Sequence, residues 1–136
     1  MAEQTEKTNL EKDLQISAKL AEAAYQALDD KLGQDIRILD IHHISILADY
    51  FLIAHGNNPN HVHALIDEVQ DRLAELGCES KNVEGYQEGS WVLIDFGRII
   101  VHVFSKEARL FYHLERIWSD GVTVDPKDLT IRKTQV

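Results

Sequence analysis

Chemistry in this chain would have to come from seven histidines, one cysteine and the acids that fall near them. The stretch GSWVLIDFGRIIVHVF, residues 89–104, opens as a Mg²⁺ site for nucleotidyl transfer does, with a Gly89-Ser90 turn ahead of Asp95. Such a site needs two acids at alternate strand positions, and the residue two after Asp95 is Gly97. Two-metal phosphoryl transfer therefore lacks its second ligand unless Asp40 or Asp49 is recruited from elsewhere. His61 and His63 lie two apart near a helix start and point in different directions about its axis, whereas ligands on a helix pair at three or four residues. His42 and His43 fall in a loop, and His55 has no fixed carboxylate to orient it toward His61 or His63. Solvated or capping histidines are the expectation, with no metal and no cofactor. Cys78 has no second cysteine for a disulfide or a thiolate cluster and reads as a small filler. A Gly-rich phosphate loop is missing as well. These residue types point away from catalysis.

The same stretch does hold residues that a purely structural hairpin has little use for. With Phe96-Gly97 as a two-residue loop, Asp95 lies opposite Arg98, Leu93 opposite Ile100 and Trp91 opposite His102, all on one face extended by Phe104. The other face collects Val92, Ile94, Ile99, Val101 and Val103, a β-branched core. A mixed face of aromatic, aliphatic and ionic pairs fits two coverings, a helix of the same chain or a partner. Trp and Arg are the residue types enriched in interface hot spots, where one truncation costs roughly 2 kcal/mol or more.

The elements that must position this hairpin can be read from periodicity. From Asn9, the positions Leu10, Leu14, Ala18, Ala21, Tyr25, Leu28 and Leu32 recur at three to four residues and Gly33 follows as a stop, which predicts an amphipathic helix. Residues 35–41, DIRILDI, read as a strand, and 50–56, YFLIAHG, as a strand buried on both faces. Asn58 and Pro59 form an N-cap and first turn for a helix whose stripe Val62, Leu65, Ile66, Val69, Leu73 and Leu76 ends at Gly77. A short strand falls near 78–83. A third helix spans roughly 107–118, with Leu110, Phe111, Leu114, Ile117 and Trp118 on its apolar side. The order indicates an α/β domain with a mixed β-sheet, because the hairpin is antiparallel while helix-linked strands can be parallel.

At 136 residues the chain suits one domain. It divides into a frayed tail at 1–8, a domain at 9–120 and an extended or mobile tail at 121–136, which Pro126 interrupts. No apolar run approaches the roughly 20 residues of a membrane span, and the polar start MAEQTEKTNLEKD has no signal-peptide segment, so a cytoplasmic location is expected. With 23 acidic against 14 basic residues the formal charge is −9. Such a chain is repelled by phosphate backbones, so direct nucleic-acid binding is not expected, and a basic protein partner would be attracted.

The segments DYFLIAHG (49–56), VEG (83–85), GSWVLIDFGRIIVHVF (89–104) and RLFYHLERIW (109–118), in that order and spacing, resemble the ribosomal silencing factor family, also called RsfS or Iojap-like. The resemblance covers about residues 10–120 and is most specific from Trp91 through Trp118. It implies a nucleotidyltransferase-like α/β fold without catalytic residues. It also implies binding to the large ribosomal subunit through ribosomal protein L-fourteen, which sterically blocks joining of the small subunit and represses translation under nutrient limitation. Organellar relatives assist large-subunit assembly, and free members are commonly homodimers. Two departures stand out: Arg98 occupies a position usually acidic in the family, and HGNNPN replaces the usual Ser after the strand glycine. Arg98 would convert a pair of facing acids into an Asp95/Arg98 ion pair worth roughly 0.2 to 1 kcal/mol if exposed. The expected contact set is Trp91, Leu93, Asp95, His102 and Phe104 from the sheet, with Arg109, Tyr112 and Glu115 from the following helix. Tyr112 and Glu115 lie on its less apolar flank, and Arg109 has a second possible role, bracing the hairpin through a carboxylate.

Overall fold

The computed structural model describes the backbone of residues 2–112 and 121–129, with side-chain surroundings for 10–110 and 121–129. Helix α1 (Ala2–Asp30) begins at Ala2 rather than Asn9, because the Ala, Glu, Gln and Lys that precede Asn9 are good helix formers. Its buried stripe, Ala18, Ala21, Ala24, Ala27 and Leu28, is made mostly of alanines, which let the helix lie close to a sheet. The left-handed turn that ends α1 is made by Leu32, at φ 62°, and the N–H of the expected stop, Gly33, donates to the Leu28 carbonyl at 2.7 Å.

Strand β1 (Gln34–Asp40) and strand β2 (Tyr50–Gly56) follow. Helix α2 (Pro59–Glu75) starts as its sequence predicts, with the Asn58 side chain accepting from the His61 N–H and Pro59 in the first turn. Its capping bonds extend through Gly77 and Cys78, so the next strand, β3 (Asn82–Glu84), begins later than 78. Strands β4 (Trp91–Asp95) and β5 (Ile99–Ser105) form the hairpin. Helix α3 is described over Lys106–Tyr112; the rest of the expected 107–118 helix lies outside the described residues.

The sheet order is β3-β4-β5-β2-β1, with β6 (Val122–Thr123) beyond β1. Among the described strands only β2 and β5 pair in parallel, as a crossover through α2 requires, so the sheet is mixed as expected. Part of the segment expected as an extended or mobile tail belongs to the sheet. Val122 pairs with Asp40 and Thr123 with Leu39, the Val124 N–H donates to the Ile38 carbonyl at 2.9 Å, residues 126–129 are helical, and Leu129 is 1% exposed. Without this strand β1 would be an edge with open hydrogen-bonding groups.

The hairpin register differs from expectation. Trp91 faces Phe104, Leu93 faces His102 and Asp95 faces Ile100, and the Phe96 N–H donates to the Ile99 carbonyl at 3.0 Å. The loop is therefore Gly97-Arg98. Two-residue hairpin turns need a positive φ at their first central residue. Gly97 supplies it at φ 88°, whereas Phe96 would be strained there and is instead buried core. Moving the loop by one residue shifts the pairing by two, so the division of side chains between the faces is unchanged.

Candidate partner-binding face

The two sheet faces are dressed differently. On one, Val92, Ile94, Ile99, Val101 and Val103 are fully buried with the apolar stripes of α1 and α2. On the other, Leu39, Ile41, Phe51, Ile53, Ile100 and Phe104 form a second cluster, with Trp91, Leu93 and Ala108 packed against it. Ala108 belongs to α3, which lies over β2 and β5. Trp91 and Leu93 stand on β4, further toward the β3 edge, and are half-buried.

Beneath Trp91 is an aromatic stack. Its ring lies 5.2 Å from that of Phe104, and its Nε1–H donates to His102 Nδ1 at 3.1 Å. Phe51 meets the His102 ring edge-on at 4.9 Å. His102 is 4% exposed, and its Nε2 finds no hydrogen-bond partner among the described residues. Accepting at Nδ1 fixes the neutral tautomer with its proton on Nε2, and burial holds its pKa down at about 4. His102 and Phe104 thus underlie the face, while Trp91 and Leu93 reach its surface.

Asp95 does not pair with Arg98. Its Oδ1 accepts the Gly97 N–H at 2.7 Å, closing the turn, and Arg98 reaches across to Asp13 at 3.3 Å. The register explains the change: Arg98 is a loop residue and not the cross-strand neighbour of Asp95. Arg109 is 6% exposed and braces a different place from the hairpin. Its guanidinium donates to the Gln34 carbonyl at 3.2 Å, contacts His55 Nδ1 at 3.0 Å and lies 3.3 Å from the Asp35 carboxylate. It ties α3 to the start of β1 and the end of β2. Tyr112 closes the described part of α3, with its side chain outside the described residues, and Glu115 lies outside them altogether.

The acids that could have completed a phosphoryl-transfer site do not converge. Asp40 is on β1, separated from Asp95 on β4 by two strands, roughly 14 Å at normal strand spacing. Asp40 shares the face of Ile38, opposite to that of Trp91. Asp49 accepts the Ser17 hydroxyl of α1 at 2.5 Å. Among the histidines, His61 takes the Asn57 N–H at Nδ1 and meets the Lys31 carbonyl at Nε2. His63 stacks on Tyr86 at 4.4 Å, with Nε2 2.6 Å from the Tyr86 carbonyl. His55 meets Arg109 rather than either of them. One pairing was missed: His42 Nδ1 lies against Asp40 Oδ1, and Asp-x-His at a strand end was its only sequence signal. Cys78 is partly buried, and desolvation raises its thiol pKa against the opposing pull of Arg98 and Lys81. No helix among the described residues is long and apolar enough to cross a membrane.

Over residues 14–135 the chain matches the family described as ribosomal silencing factor during starvation. It is 46% identical over 102 residues to the ribosomal silencing factor RsfS of Bacillus subtilis, covering 75% of this chain and 86% of that one. It is similar to a crystal structure of a protein from Bacillus halodurans, with a TM-score of 0.71 and 41% identity over 79% of this chain and 97% of that one. A more distant relative, the mouse protein named mitochondrial assembly of ribosomal large subunit protein 1, is 29% identical over 90 residues, which are 64% of this chain and 40% of the mouse protein.

Proposed function

The chain belongs to the ribosomal silencing factor family, and from that premise we propose that it binds the large ribosomal subunit through ribosomal protein L-fourteen and blocks joining of the small subunit. It represses translation under nutrient limitation by occupying a surface, not by catalysing a reaction. The observation that carries this reading is the half-buried pair Trp91 and Leu93 on β4, set over the buried His102 and Phe104. A rigid aromatic anchor on an ordered platform loses little entropy when a partner covers it, which is how a few residues come to dominate an interface. Asp95 adds a carboxylate beside the anchor, and the overall charge of −9 suits a basic ribosomal protein. Tyr112 and Glu115 complete the proposed contact set. Arg109 belongs to the set as the brace that holds α3 in place. The free protein is a homodimer in the cytoplasm, a reading supported by the family resemblance.

The test is co-sedimentation with purified large subunits. Trp91→Ala and Leu93→Ala should each abolish it while circular dichroism shows the fold retained. Undiminished co-sedimentation of both folded variants would exclude this face as the site. The name of the mouse relative supports a second reading, a role in large-subunit assembly, which accumulation of immature large subunits in cells lacking the protein would distinguish.

A further inference from the structure

The turn that leaves β1 gathers three donor side chains which the partner face does not use. Asp40, the last residue of β1, is held by neighbours on both sides, Tyr50 on β2 and Val122 on β6, and is 7% exposed. Its Oδ1 lies against His42 Nδ1 and also accepts the His42 backbone N–H at 3.2 Å. The chain then folds back, the N–H groups of Ile44 and Ser45 both donating to the Ile41 carbonyl, at 3.0 and 2.9 Å. This turn sets the His43 ring edge-on to that of His42, with centroids 5.6 Å apart. One donor atom from each of Asp40, His42 and His43 lies within 4.8 Å of the other two.

We propose that Asp40, His42 and His43 form a binding site for one borderline divalent transition metal ion of the Zn²⁺ class. Two imidazoles and a carboxylate are a donor set suited to such ions, whereas Ca²⁺ and Mg²⁺ require mostly oxygen ligands that this turn does not supply. Tetrahedral bonds of about 2.0 to 2.2 Å separate ligand atoms by roughly 3.4 Å. The exposed rings of His42 and His43 can swing to that spacing, while buried Asp40 stays as the fixed anchor. Asp40 Oδ1 and His42 Nδ1 already face each other; when the ion enters between them, neutral His42 carries its one ring proton on Nε2, which frees the Nδ1 lone pair, and the Asp40 carboxylate and His42 become ligands of one centre with no net proton change. A fourth position remains for water. Bound metal would fasten the end of β1 to the first turn of the loop carrying Ile44, Ile46 and Leu47, three apolar residues that are 41%, 103% and 64% exposed.

The experiment is calorimetric titration of the full metal-stripped chain with Zn²⁺, with Co²⁺ substitution read by visible absorption. One equivalent should bind, with a tetrahedral Co²⁺ spectrum lacking a thiolate charge-transfer band. His42→Gln and His43→Gln should each weaken binding by about tenfold or more, and His61→Gln should leave it unchanged. Both substituted rings are exposed, so the fold persists, which circular dichroism verifies. Absence of saturable binding, affinity indifferent to His42→Gln and His43→Gln, or a thiolate band placing the ion at Cys78 would each overturn the proposal.

Discussion

His102 carries a proton-linked cost that its surroundings define. Trp91 donates to its Nδ1, the ring is buried, and its pKa is held down at about 4, below the ordinary value near 6.5. The folded state therefore refuses a proton that the unfolded state accepts. Above about pH 6.5 both states carry a neutral ring and His102 costs nothing; as pH falls through the window from about 6.5 to about 4 the unfolded state is favoured, and below it the loss levels off at about 3 kcal/mol. The expected outcome is that the stability of the parent in urea unfolding falls as pH drops through that window, while His102→Gln, which keeps an acceptor for the Trp91 N–H, loses less across it by about that amount. An identical pH profile in the two proteins would show that His102 titrates normally. The sequence placed His102 on the Trp91 face, since strand alternation decides that. It also paired the two directly across the hairpin, whereas in the true register they are diagonal neighbours, joined by a side-chain hydrogen bond that strand alternation does not specify. Arg109 was likewise visible as a cation on a helix, but its partners at Gln34, Asp35 and His55 are brought to it by the chain's long-range topology.

Elements were legible wherever a local rule fixed them. Asn58 and Pro59 capped α2 because their chemistry acts within one turn, and β2 ran over Tyr50–Gly56 as its unbroken apolar run required. The hairpin was placed correctly as a pair of strands but misregistered, because the loop was centred on Phe96-Gly97 although only Gly97 can take the positive φ at the turn's first position. Glycine also acts at a distance along the sheet. Gly85, at φ 78°, follows β3, and a Cβ there would lie 2.2 Å from the Trp91 carbonyl oxygen, a backbone atom with no freedom to move aside. At Gly97 the added methyl would meet the flexible end of Lys81 at 2.9 Å, which can swing away. Gly97→Ala should therefore cost about 1 to 2 kcal/mol, the penalty of the left-handed conformation. Gly85→Ala adds a backbone clash to the same penalty and should cost about 3 kcal/mol or more, among the larger effects of point substitution. Chemical denaturation of the two variants measures both, and equal losses would mean that the Gly85–Trp91 approach does not constrain β4.

For the whole molecule, composition and topology contribute separately to the proposed binding. Mixed α/β architecture was readable from element order, yet the docking of residues 121–129 beside β1 was not, since a two-residue strand has too little periodicity to announce itself. The charge of −9 needs no structure to be read, and its effect is long-ranged: it accelerates the approach of a basic partner, and salt removes that advantage as the screening length falls from about 10 Å at 0.1 M to about 3 Å at 1 M. In the proposed complex Trp91 would act only after contact, by being covered. The two terms should therefore separate kinetically. In surface plasmon resonance with isolated ribosomal protein L-fourteen, raising salt from about 0.1 to 1 M should slow association by about tenfold or more with little change in dissociation. Trp91→Ala should speed dissociation and leave association nearly as it was. Association indifferent to salt would show that the acidity of the chain serves something other than partner capture, since a charged encounter in water cannot escape screening.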